Sequence, residues 1–222
     1  MKCFDGNAGR FVARGMLLLA LSLAGCQETY FGAWEKLGYA KRDIMVERVQ
    51  KARDGQQAAK EQFQSTLERF KSVVKFNGGD LEAKYNELSA EYDACEARAA
   101  AVTKQINAVE SVAGALFKEW EEELGQYSDP ALKSKSQEEL RATRARYQQL
   151  LATMRGAESK MKPVLAVFHD HVLFLKHNLN ARAIASLETT TTTLQGDVDQ
   201  LIADMQRSID ASNRFISAMK TS

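Results

Sequence analysis

One run of apolar residues limits what this chain can fold into more than any other feature. From Leu81 the series Tyr85, Leu88, Tyr92, Cys95, Ala99, Val102, Ile106, Val109, Ala113, Leu116 and Trp120 alternates steps of four and three, and every position is apolar or aromatic. A mean spacing of 3.5 residues keeps one stripe of an α-helix facing a partner and implies left-handed supercoiling. A strand cannot use this pattern, because its side chains change face at every residue. At 1.5 Å per residue the segment is a rod of roughly 60 Å. Its other faces are polar, so another helix must cover the seam.

The preceding segment supplies one. Met45, Val49, Ala52, Gln56, Ala59, Phe63, Thr66, Phe70 and Val73 keep the same spacing, with Gln56 and Thr66 as polar interruptions. Upstream, Trp34, Leu37 and Ile44 continue it out of register, as a stutter does. Asn77-Gly78-Gly79-Asp80 separates the two segments. Its glycines suit a helix C-terminus and Asp80 suits an N-cap, so the two helices are expected to form an antiparallel hairpin.

The second helix should end near Leu124-Gly125, and Tyr127-Ser128-Asp129-Pro130 reads as a turn with proline at the first helical position. A third series runs through Leu140, Arg144, Tyr147, Leu151, Met154, Glu158, Met161, Leu165, Phe168, Val172, Leu175 and Leu179. It passes Pro163 without a slip, which predicts a kink inside one helix. The chain has only two prolines, so little else interrupts its helices. A fourth series is Leu187, Thr191, Leu194, Val198, Leu201, Met205, Ile209, Ser212, Ile216 and Met219. No Gly or Pro marks the join at His177-Asn178-Leu179-Asn180, although Asn180 is an acceptable N-cap. A turn there divides the chain into four comparable rods. The expected fold is therefore all-α: a long antiparallel four-helix coiled-coil bundle. A three-helix elongated coiled coil, with the third helix running on, is the alternative.

The N-terminus reads as an address. Lys2, Arg10 and Arg14 precede the uncharged run 16–24, which is too short to cross a bilayer and suits the apolar core of a signal peptide. Leu23-Ala24-Gly25-Cys26 then resembles the lipobox of bacterial lipoproteins. That resemblance implies cleavage before Cys26, a diacylglycerol on its sulfur and an acylated amino group. Residues 1–25 would be the signal peptide, 26–29 the anchored N-terminus and 30–222 a single helical domain. Gln27, in place of aspartate, implies release to the outer membrane facing the periplasm, with inner-membrane retention as the alternative. Several acyl chains anchor far more firmly than one. Cleavage removes three basic residues and one acidic residue, so a net charge of +1 becomes −1. Near-neutral charge without a basic stripe argues against nucleic acid as a partner. Of three cysteines only Cys95 would remain a free thiol, and its place in the seam predicts a buried small hydrophobe.

Candidate chemistry is sparse. His169, His171 and His177 are the only histidines. On a helix, positions 169 and 171 point about 200° apart, so they do not share a metal ion, and no metal or cofactor is expected. His177, Asn178, Asn180 and Arg182 form a polar group able to meet a headgroup or a peptide carboxylate. Glu119 and Glu121-Glu122-Glu123 make an acidic patch at a helix C-terminus, where the macrodipole disfavours negative charge. Arg141, Arg144 and Arg146 read as an ordinary exposed helix face beside Glu138 and Glu139. Thr189 to Thr193 is a run of weak helix formers, expected to loosen the last helix. No phosphate-binding glycine loop and no nucleophile elbow occurs.

The segments 30–38 (Tyr30-Phe31-Gly32-Ala33-Trp34-Glu35-Lys36-Leu37-Gly38) and 172–181 (Val172-Leu173-Phe174-Leu175-Lys176-His177-Asn178-Leu179-Asn180-Ala181) resemble an uncharacterised proteobacterial family of coiled-coil lipoproteins. The family is filed as a domain of unknown function, and it brings no active site. A DNA-repair ATPase label sometimes attached to members needs a nucleotide-binding loop that this chain lacks. The expected function is non-enzymatic: a lipid-anchored periplasmic interaction or structural module, held to the membrane by its lipid, with a protein partner or a second copy. The alternative is a dimeric crescent-like scaffold that binds or shapes the membrane surface.

Overall fold

The computed structural model describes residues 40–75, 78, 80–178 and 180–221. The signal peptide, Cys26, the first resemblance segment and Leu179 lie outside the described residues, as do Trp34, Leu37, Asn77 and Gly79. Residues 1–44 and 45–222 are separate compact units, and only the last five residues of the first are described.

Among the described residues four helices follow one another: α1 (Lys41–Val74), α2 (Leu81–Glu123), α3 (Pro130–His177) and α4 (Ala181–Thr221). Each boundary has a local cause. Gly78 has φ 135°, a region closed to most side chains. Asp80 caps α2 by accepting the Ala83 N–H at 2.9 Å. Asp129 caps α3 by accepting the N–H groups of Ala131 and Leu132, with Pro130 beginning the helix. The contested join is a turn. α3 stops at His177, the Asn178 N–H reaches the Leu175 carbonyl, and the Asn180 carbonyl accepts the first bond of α4 from Ile184. The three-helix alternative is therefore not the fold of the described chain.

Contacts between side chains set the arrangement of the unit 45–222. Gln62 and Ser65 of α1 meet Glu91 of α2, and Arg69 meets Glu87. Trp120 and Glu121 of α2 meet Ser136 and Arg144 of α3. Lys160 of α3 pairs with Asp204 of α4. Arg53 and Lys60 of α1 bond Asn213 and Gln206 of α4, which closes the ring. Residue numbers rise on one helix as they fall on the next, so neighbours are antiparallel. The result is the up-down-up-down four-helix bundle.

Three of the four seams lie where the heptads put them. All nine α1 positions from Met45 to Val73 are fully buried, including Gln56 and Thr66. The α2 seam is buried from Leu88 through Leu116 except at half-exposed Tyr92, and Tyr85 and Trp120 also stay partly exposed. The α4 series is buried except for partly exposed Thr191. On α3 the expectation needs correcting. Leu140, Met154, Met161, Phe168, Val172 and Leu175 are buried as expected, but Thr143, Leu150, Ala157 and Val164 fill the alternate places instead of Arg144, Leu151, Glu158 and Leu165. At two of these the inward residue is the smaller and uncharged one, because burying an unpaired charge is prohibitive.

α3 runs unbroken through Pro163, which is exposed, and α4 runs unbroken through the threonine run. Thr190 and Thr191 both donate their hydroxyls back to the Leu187 carbonyl, at 2.9 and 3.0 Å, which satisfies them within the helix. One polar level interrupts the core. The Arg53–Asn213 and Lys60–Gln206 bonds bracket Gln56 and Ser208, both fully buried. The Gln56 amide and the Ser208 hydroxyl form no hydrogen bond with any described residue. Next to Gln56, Gly55 lets α2 approach, because a β-carbon there would overlap the Gln105 carboxamide.

Candidate functional site

The histidines separate as the helical geometry requires. His171 stacks on Phe70 of α1, ring centroids 4.9 Å apart, and burial pushes its pKa below the ordinary value. His169 lies against Tyr92 of α2 at 5.7 Å. Among the described residues no three His, Cys, Asp or Glu side chains are grouped to hold a metal ion. Cys95 is a free, buried thiol, and burial pushes its pKa up to about 12 although Thr66 lies within hydrogen-bond reach. A thiol held protonated in this way is a core side chain rather than a nucleophile.

The polar group at the α3–α4 turn is brought together, but its members mainly build the turn. Asn178 donates its side-chain N–H to the Phe174 carbonyl at 2.9 Å, and its own carbonyl accepts the Asn180 N–H. His177 and Arg182 are exposed at the same end, beside Leu173 and Phe174, which remain 47% and 39% exposed. The acidic patch is divided. Glu121 pairs with Arg144 at 2.8 Å, and the Arg144 guanidinium sits 5.0 Å over Phe117, whereas Glu122 and Glu123 face solvent.

The sequence reading missed a groove between α3 and α4. Facing helices in a coiled coil are normally separated by large side chains. Here the stripes that meet carry Thr153, Gly156 and Ala157 on α3 and Ala211 on α4. A β-carbon on Gly156 would meet nothing within 4 Å, which shows how much room is left. The groove holds two adjoining cavities that share Thr153.

The smaller cavity, of about 190 Å³, is lined by Lys160, Asp204 and Arg207. Both cations pair with Asp204, whose carboxylate is nearly buried, so the charges are satisfied within the protein. The larger, of about 420 Å³, is lined by Arg146 and Gln149 on one wall and Arg214 on the other, over Leu150 and Phe215. Only this second volume falls in the range of small-molecule sites. Arg146 donates to Thr143 at 3.3 Å, and neither Arg146 nor Arg214 pairs with a carboxylate among the described residues. Nearby Arg155 is the contrast. It bonds Glu110, Glu158 and Asn107 at once and ties α3 to α2. The signal for the groove was present in the sequence as small residues at i, i+3 and i+4 on α3, flanked by arginines on both helices. It carries no meaning until the two helices are set side by side.

No described helix is long and apolar enough to cross a membrane. Residues 30–219 match the family described as "Protein of unknown function (DUF2959)", and the chain belongs to it. Neither a curated protein nor a solved structure matches the chain at a significant level.

Proposed function

We propose that this member of the DUF2959 family is a lipid-anchored, non-enzymatic protein of the bacterial cell envelope. In this reading Cys26 carries the lipid, the outer membrane is its site and the periplasm is the compartment it faces. The bundle then acts by presenting its surface to a partner. The observation that carries the reading is Leu23-Ala24-Gly25-Cys26, placed directly behind a basic segment and a short uncharged run. The bundle adds support of a different kind. It closes its apolar seams within one chain, so a second copy is not needed to bury them, and an interaction module is favoured over the dimeric crescent.

Metabolic labelling with palmitate tests the anchor. The wild-type chain should take up label and partition with the membrane, whereas Cys26→Ser should do neither. Label in Cys26→Ser, or wild-type protein that stays in the aqueous phase without detergent, overturns the reading. Separation of the two membranes on a density gradient then tests the compartment, and inner-membrane recovery would replace the outer-membrane assignment.

A further inference from the structure

We propose that the buried polar level of Gln56, Gln105 and Ser208 is an alignment device, which holds α1 in one register against α2 and α4 at some expense of stability. The need for one follows from the sequence pattern. The seams repeat every seven residues, so a helix that slides by one heptad, about 10.5 Å, still sets apolar side chains against apolar side chains. α1 and α4 are neighbours with no turn between them, so no connection fixes their alignment directly.

The level lies where such a slide is felt. Arg53 reaches Asn213 at 3.1 Å and Lys60 reaches Gln206 at 2.7 Å, which brings Gln56 and Ser208 to the same height. From α2 the Gln105 carboxamide takes the space beside Gly55, the one glycine of α1. Three helices thus bring polar groups to one height. After a slide of seven residues Gln56 is level with Leu201 or Phe215, and Ser208 with Val49 or Phe63, all of them buried and apolar. Gln105 loses the glycine and meets Arg48 or Gln62. An amide among other polar groups tolerates burial better than one enclosed by hydrocarbon.

The level is costly even in the observed register. Neither carboxamide atom of Gln56, nor the Ser208 hydroxyl, nor the Gln105 side-chain oxygen bonds any described residue. An apolar side chain at position 56 would complete the seam and hold the bundle more tightly. A polar position inside an apolar seam is a physical means of fixing register when stability alone would favour hydrocarbon. Thr66, the other polar seam residue of α1, is different. Its hydroxyl donates to the Gln62 carbonyl at 2.8 Å and lies 3.2 Å from the Glu91 carbonyl, so it is accounted for by the contacts it makes.

The test uses the full chain purified in neutral detergent, with cysteine pairs joined by a short bis-maleimide and the joined peptides identified by mass. The readout is the initial rate of linking within one chain. Arg53→Cys with Asn213→Cys reports the observed register. Arg53→Cys with Gln206→Cys, and Lys60→Cys with Asn213→Cys, report a slide of one heptad in either direction. Without further substitution only the first pair should link readily. Gln56→Leu with Ser208→Ala should raise the unfolding temperature. It should also speed linking of at least one slid pair tenfold, a change of about 1.4 kcal/mol in register preference. Gln56→Met, close in shape to glutamine, should act in the same direction and serves if the double variant does not fold. Thr66→Val is the control, and it should lower the unfolding temperature while leaving the slid pairs at their original rate. Unchanged linking of the slid pairs in the Gln56 variants overturns the proposal, whatever happens to stability. So does a lower unfolding temperature in those variants, because the level is then a stabilising contact. Links formed between two chains instead of within one overturn it as well, since the level then guards against a second copy. Palmitate labelling reports on the anchor independently, so failure of either reading is recognisable by itself.

Discussion

The α1–α2 face and the α3–α4 face are built from the same repeat but handle polar groups in opposite ways. Between α1 and α2, polar side chains meet one another. Gln62 and Ser65 donate to the Glu91 carboxylate at 2.6 and 3.0 Å, Thr66 reaches the Glu91 carbonyl, and Arg69 pairs with Glu87 at 2.7 Å. Phe63, Phe70 and Cys95 are sealed beneath. Between α3 and α4 the Asp204 cluster is matched in this way, and the adjoining cavity leaves Arg146 and Arg214 without a carboxylate among the described residues. The difference teaches where to look for function in a coiled coil. A matched polar group is accounted for by stability, and an unmatched pair of cations is not.

The contrast can be broken at several points, and the largest effect belongs to the sealed face. Phe63→Ala removes a fully buried ring and should lower unfolding stability by about 3–5 kcal/mol in a denaturant titration. A much smaller loss would mean that the α1–α2 face is looser than its burial suggests. Asp204→Asn should lose about 1 kcal/mol in the same assay, because both cations it holds are themselves substantially exposed.

The His171–Phe70 contact supplies a pH test. Burial lowers the folded pKa of His171 below that of the unfolded chain, so the unfolded state binds the proton more readily. The stability associated with a neutral His171 is thus complete above the ordinary histidine value of about 6.5 and is lost as pH falls through the lower folded value. His171→Phe should flatten this part of the stability profile. An unchanged slope would assign it to other groups.

The smallest effect is the most informative. Arg146→Gln with Arg214→Gln should change stability by no more than about 0.5 kcal/mol, as for surface positions with no matched partner. If the pair costs as much as Asp204→Asn, its role is structural and the two cavities are alike.

Much of the fold was legible because its causes are local. The α1 and α4 seams, the α2 hairpin, the caps at Asp80 and Asp129 and the passage through Pro163 depend on spacing and backbone geometry within a few turns. The turn at 178–180 was the harder reading, since it lacks Gly and Pro and is made by Asn178 folding back on Phe174. The α3 seam was half legible. Leu150-Leu151 and Val164-Leu165 are apolar pairs, and either member can face inward when a helix is considered alone. Thr143 beside Arg144 and Ala157 beside Glu158 held the clue, but it becomes decisive only against neighbouring helices.

What the sequence determined by itself is the helical character, the seams of α1, α2 and α4, the polar interruption at Gln56 and the N-terminal pattern around Cys26. Each is a matter of periodicity or of a short contiguous motif. Which arginines find a carboxylate, which small residues face one another and where the bundle stays open were decided only by tertiary structure. Those properties arise from residues far apart in the chain, such as Arg146 and Arg214, 68 positions apart, and no repeat within one helix encodes its alignment with the next.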